Sequence, residues 1–219
     1  MVDLRQAYNA KKGRFFMDKL TEYAAELQSL AQAGLFYGKD VYDRERYARI
    51  RDIAAEIMAM KTELPLGTVK ELFCSDYGYQ TPKVDTRAAI FMDNKILLVH
   101  EKNGTWSLPG GWCEFNMSPA ENAVKEVREE AGKNVKVKSV IAVQNRDAHN
   151  KPRYAYGVVK IFYLCEDLGG EFRENSETTG AQFFAPDCLP RLAEEKCNEE
   201  QILMCFRAMS SENWVTLFD

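Results

Sequence analysis

The sequence predicts an α+β protein in which helices come first and a mixed sheet flanked by at least two helices follows. Three observations predict it. Apolar residues recur at helical spacing through the first third of the chain. Beyond about residue 80 the pattern changes to short runs rich in β-branched and aromatic residues. Within that second part, residues 118–132 carry a full set of local helix start and stop signals.

The first helix is expected over 15–34, where Leu20, Tyr23, Ala24, Leu27, Leu30 and Ala31 form one stripe. A second is expected over 43–60, with Tyr47, Ile50, Ile53, Ala54 and Ile57 on its face. A third, short helix follows Pro65 and Gly67, near 66–74. This helical region carries few residues suited to chemistry, and its expected role is packing, on the rest of the chain or on a second copy. Glycine and proline in "GYQTPK" (78–83) mark a linker. The expected division is 1–78 for the helical hairpin region, including an unexplained leader at 1–14, and 79–219 for the second domain.

Strands are expected at "VDTRAAIF" and "ILLVHE", joined by a turn at Asp93-Asn94, then at "TWSL" after a turn at Asn103-Gly104. Further strands are expected at 136–144, 154–166 and 181–185. A last helix near 199–209 has Asn198 as N-cap and Gln201 three residues on, a capping-box pattern.

Bulk properties exclude several classes. No apolar run approaches the roughly 20 residues of a membrane span, and no signal-peptide core is present. The net charge of −4 argues against a dedicated nucleic-acid binder. Six cysteines without a C-x-x-C pair, and two histidines, argue against zinc. With no secretory signal the cysteines read as reduced thiols, so the expected location is cytoplasmic.

The helix at 119–131 carries the chemistry. Ser118 stands at the N-cap, Pro119 at the first helical position, Glu121 at the capping-box position, and Gly132 where a left-handed residue ends a helix. Ala120, Ala123, Val124, Val127 and Ala131 form the expected buried face. Glu126, Glu129 and Glu130 fall on one edge at spacings of three and four. Like charges so spaced repel by a few tenths of a kcal/mol per pair, and they crowd the negative end of the helix dipole. A hard divalent cation would relieve both penalties. The loop before the helix, "SLPGGWCEF", lets backbone approach the same point.

These residues resemble the Nudix box, G-x5-E-x7-R-E-U-x-E-E-x-G-U, through Gly111, Glu126, Val127, Glu129, Glu130 and Gly132. Three positions depart: Met117 replaces the first Glu, Lys125 the Arg and Lys133 the last aliphatic residue. Lysine cannot reproduce an arginine fork, so the brace behind the carboxylates is expected to be looser. Lys125 is expected to reach Glu121 or Glu129 as a point charge. The stretches 31–58, 81–91, 106–112 and 183–193 extend the resemblance to roughly residues 18–207. They make the chain similar to a branch with an N-terminal helical domain, acting on nucleoside diphosphates linked to another moiety of the CDP-choline or ADP-ribose type.

The resemblance implies a Nudix α/β/α sandwich and a pyrophosphatase using Mg²⁺, with Mn²⁺ as the other possible ion. It implies Glu126, Glu129, Glu130 and the Gly110 carbonyl as metal ligands. Glu129, Glu130 or a later-loop glutamate, Glu174 or Glu177, would act as base, and Glu177 is preferred. Arg87, Arg146 and Arg153 are candidate phosphate contacts, although Asp85 and Arg87 could equally form a buried structural pair. Trp112, Tyr154 and Tyr156 are candidate stacking surfaces, and His149 reads as a surface residue. The expected partners are a small nucleoside diphosphate derivative and a second copy in a homodimer, with no membrane and no stable nucleic-acid complex. Rival readings are a non-catalytic nucleotide sensor and an RNA-processing hydrolase.

Overall fold

A computed structural model describes residues 4–62, 65–75, 77–154 and 156–219, with side chains from residue 19 onward. The expected leader at 1–14 falls partly outside the described residues, at 1–3, and otherwise within the first helix. The chain divides into two compact units, Met1–Thr81 and Pro82–Asp219.

The first unit holds α1 (Leu4–Tyr37), α2 (Val41–Thr62) and α3 (Leu66–Phe73). Small residues let the two long helices lie close: Ala24, Ala31, Ala54 and Ala55 are fully buried. A Cβ added at Gly34 would stand 2.4 Å from the Tyr47 ring. The expected stripe on the first helix is only partly buried. Tyr23 and Leu30 are exposed, whereas Gln28 and Gln32 are buried. The Gln28 amide donates to Gln32 at 2.8 Å and the Gln32 amide to the Gly78 carbonyl at 2.9 Å. Pairing offsets only part of the penalty of burying these groups, since the Gln28 side-chain oxygen has no hydrogen-bond partner among the described residues.

The second unit is built on a mixed sheet. β1 (Lys83–Met92) runs parallel to β5 (Val158–Gly170), which pairs antiparallel with β4 (Lys133–Asn145). β1 turns at Asp93 and Asn94, both with positive φ, into antiparallel β2 (Lys95–Glu101). β2 pairs antiparallel with β3 (Trp106–Ser107) and β6 (Thr178–Phe184), and β7 (Leu217–Phe218) lies parallel to β4.

The sheet is covered on both faces, so β1 is buried from Asp85 to Ile90. Alternation divides its residues. Ala88 and Ile90, with Leu97, Val99 and Tyr163, pack with Ala123, Val127 and Ala131 of α4 (Pro119–Ala131). Ala89, Ile96, Leu98 and Phe162 pack with Ile202, Cys205 and Phe206 of α6 (Glu199–Ser210). A single turn, α5 (Arg146–His149), follows β4. The result is an α/β/α sandwich.

Candidate active site

Helix α4 is placed by local signals and by long-range contacts. The Ser118 hydroxyl accepts from the Glu121 amide while the Glu121 carboxylate accepts from the Ser118 amide, and Gly132 ends the helix at φ 65°. Asn122 is fully buried, and its amide donates to the Thr86 hydroxyl at 2.9 Å, joining α4 to β1. Gly110 has φ 142°, and a Cβ there would stand 1.9 Å from the Thr86 carbonyl oxygen. Glycine is therefore required for the loop to approach β1. The carbonyls of Pro109 and Gly111 accept from Ala88 and Thr86, so the Gly110 carbonyl stays out of that ladder. The Gly110 amide donates to Glu130 at 2.7 Å.

Carboxylate oxygens of Glu126, Glu130 and Glu177 lie within 4.8 Å of one another. Glu126 and Glu130 are buried and Glu177 is exposed. Burial pushes the Glu130 carboxyl up to about 7, against the opposing pull of Arg87 and the Gly110 amide. Burial raises Glu126 as well, with Lys125 opposing it. Carboxylates that resist ionisation beside one another are suited to a cation that would replace the missing countercharge. An all-oxygen donor set fits Mg²⁺ or Mn²⁺ rather than a soft metal.

Glu177 reaches this point because its loop is fastened to α4. The Asn175 side chain accepts from the amides of Glu177 and Thr178 at 2.9 and 2.8 Å. The Thr178 hydroxyl then donates to the Glu130 carbonyl at 2.6 Å. Glu174, the other loop glutamate considered from sequence, is not in the cluster. Glu129 lines the same cleft but is held by Lys125 at 2.6 Å.

Lys125 is a hub. Its ammonium also lies 3.2 Å from Glu114 and 3.5 Å from Glu126, and the hydrogen bond to Glu129, helped by these two carboxylates, holds its pKa above the usual lysine range. Of the two expected partners it takes Glu129, because Glu121 is engaged in the cap. Met117 is half-buried, and its carbonyl accepts a weak contact from the Cys113 thiol at 3.7 Å.

The cleft encloses about 480 Å³. Its lining brings together Gly110, Trp112, Glu126, Glu129, Glu130, Glu177, Arg87, Arg146 and Tyr154 from the expected set. Arg87 forms the buried pair with Asp85, at 2.8 and 3.1 Å, and gives a third donor to the Leu108 carbonyl. Arg146 is buried against Asp147, the carbonyls of Pro152 and Glu195, and the Tyr154 ring. Tyr156 stands behind the lining, 5.5 Å from Tyr154 and 6.2 Å from Trp112. Arg153 is exposed and outside the cleft lining. His149 is partly exposed and lies 2.6 Å from Asp219. Sequence reasoning missed Lys160, Lys196 and Asn122, of which the two lysines line the cleft. Asn122 lies on the same helix row as Glu126 and Glu130, so its burial follows from the contact with Thr86 and not from the apolar stripe.

The NUDIX domain profile matches residues 82–204 of this chain, and a UDP-X-like N-terminal oligomerisation domain matches residues 18–73. YjhB of Bacillus subtilis (strain 168), provisionally named an ADP-ribose pyrophosphatase, is 41% identical over 92% of this chain and 97% of its own. A crystal structure titled UDP-X diphosphatase is 33% identical, covering 92% of this chain and 98% of that one, with a TM-score of 0.60. An ADP-ribose pyrophosphatase from Streptococcus suis 89-1591 is 52% identical over 64% of this chain and 100% of its own, also at 0.60. A sandwich of this topology with a carboxylate helix at its cleft defines a Nudix hydrolase. This chain belongs to the Nudix family, in the branch that carries an N-terminal helical domain.

Proposed function

We propose that the protein hydrolyses the diphosphate of a nucleoside diphosphate linked to another moiety, with ADP-ribose as the first candidate and CDP-choline and UDP-sugars as the compared ones. The relatives' names support that substrate class. The observation that carries the reading is the convergence of Glu126, Glu130 and Glu177 in a cleft also lined by buried cations.

Glu126, Glu129, Glu130 and the Gly110 carbonyl would hold the divalent ion, Mg²⁺ or Mn²⁺. When bound, the ion neutralises diphosphate charge and polarises the bond to be broken. Glu177, the exposed member of the cluster, takes the proton of the attacking water. The new O–P bond forms as the bridging P–O bond breaks, giving a nucleoside monophosphate and a second phosphate ester. Trp112, half exposed at the cleft, offers its ring to the base, with Tyr154 and Tyr156 behind it. Arg87 and Arg146 contribute positive potential from within the wall, each with three of its five donors already engaged by protein groups.

Residues 18–73 match an oligomerisation domain, which supports a homodimer as the working form. Among the described residues no helix is long and apolar enough to cross a membrane. A cytoplasmic enzyme with a small-molecule substrate and no stable nucleic-acid complex fits these features. The test is product identification after incubation with Mg²⁺ and ADP-ribose, CDP-choline, UDP-sugars, dinucleoside polyphosphates or a short RNA. Release of AMP, CMP or UMP from a linked nucleotide is expected, and activity confined to RNA or to none of them would refute the reading.

A further inference from the structure

Lys160 stands opposite Asp85 in the β1–β5 ladder, and Arg87 follows two residues along β1 on the same face. All three side chains are almost wholly removed from solvent: Lys160 is 1% exposed, Asp85 4% and Arg87 5%. The trio carries two positive charges and one negative, with the buried Glu130 carboxylate as a further countercharge to Arg87 rather than to Lys160. Asp85 gives both oxygens to Arg87, and Lys160 shares one of them at 3.3 Å. A buried cation without a full countercharge is costly unless an anion is supplied.

The Lys160 ammonium has three donors. Two of them are used, toward Asp85 and the Lys196 carbonyl. Lys160 also lines the cleft that holds Glu126, Glu130 and Glu177. Burial, with Arg87 next to it, pulls this ammonium down to about 8, as expected of a cation short of anionic company.

We propose that Lys160 is a substrate-binding residue whose ammonium takes a phosphate oxygen of the diphosphate. The proposal rests on the hydrolase reading above. It adds a lysine to the arginines expected at this contact: Arg87 and Arg146 each have three of five donors engaged by protein groups, which holds their forks in the wall, while the ammonium keeps one donor open toward the cleft. A purely structural role is the competing account. Three buried donors grip consecutive carbonyls: Asn150 that of Glu194, Arg146 that of Glu195, and Lys160 that of Lys196. If Lys160 only props this segment, its loss lowers stability and leaves anion affinity alone.

The experiment is isothermal titration of the metal-free full chain with pyrophosphate and with ADP-ribose, alongside steady-state kinetics with Mg²⁺. Lys160→Met is expected to weaken both ligands tenfold or more and to raise KM by a similar factor, with kcat changed only a few fold. Asp85→Asn removes the shared countercharge and is expected to tighten pyrophosphate binding. A folded Lys160→Met chain that keeps both affinities within twofold of the parent overturns the proposal, whatever its melting temperature. Should that variant not fold, pyrophosphate affinity unchanged or weakened in Asp85→Asn overturns it instead. Pyrophosphate binding is read without turnover, so failure of every nucleotide to be hydrolysed would remove the hydrolase reading and leave this measurement distinct.

Discussion

The hydroxyl of Thr178 donates to the main-chain carbonyl of Glu130 at 2.6 Å, and Thr178 is fully buried. This contact joins the loop that carries Glu177 to the helix that carries Glu126 and Glu130. Thr178→Val keeps the shape and removes the donor. It leaves a buried carbonyl short of its partner, a loss of about 1–3 kcal/mol. Thermal unfolding should record that loss, and kcat at saturating Mg²⁺ should fall. Unchanged kcat in a destabilised variant would mean that Glu177 does not need the tether.

Lys125 pairs with Glu129 and Glu126, and would compete with a cation held by those carboxylates. Lys125→Met removes the competitor and leaves repelling carboxylates. The metal-free protein should melt at a lower temperature near neutral pH, and the rise in melting temperature on adding Mg²⁺ should grow. A smaller rise than in the parent would make Lys125 an ally of the metal rather than its rival.

Met117 occupies the position where the Nudix box carries its first glutamate. It lies half-buried before the helix cap and outside the carboxylate cluster. Met117→Glu should therefore alter turnover by less than about a hundredfold, equivalent to 2.7 kcal/mol. A larger gain in kcat would show that the chemistry, and not only the brace, is impaired in this chain.

Much of the helix was legible because its signals are local. Ser118, Pro119, Glu121 and Gly132 act within a turn of their own positions. The Asp85–Arg87 pair was legible too, as one of two readings, since residues two apart in a strand share a face. Lys160 was not. A lysine in a run of aromatic and branched residues reads as a solvent-facing position, and its burial depends on β1 and the 194–196 segment, distant in sequence. Glu177 could be preferred but not located, because its position follows from the Thr178–Glu130 contact across 48 residues. On the first helix, glutamine burial was invisible for the same reason: the Gly78 carbonyl that receives Gln32 lies 46 residues away.

Glu130 sets a pH dependence in the metal-free protein. Its carboxyl is raised from 4.5 to about 7 by burial. The folded state thus holds a proton that the unfolded chain releases above about 4.5. This contribution to stability is fully present below 4.5 and is lost as pH rises to about 7. Denaturant midpoints in EDTA should fall across that window, and Glu130→Gln should flatten the fall. Mg²⁺ should restore stability at the upper end, since it replaces the proton.

The measurement that most directly tests the central claim is AMP release from ADP-ribose as a function of Mg²⁺, comparing the parent with Glu130→Gln and Glu177→Gln. The parent should release AMP only with the divalent ion. Glu130→Gln should lose on the order of a thousandfold in kcat, about 4 kcal/mol, and Glu177→Gln at least tenfold. Full activity in Glu130→Gln, or AMP release by the parent undiminished in EDTA, would contradict the assignment of this carboxylate cluster as the catalytic metal site.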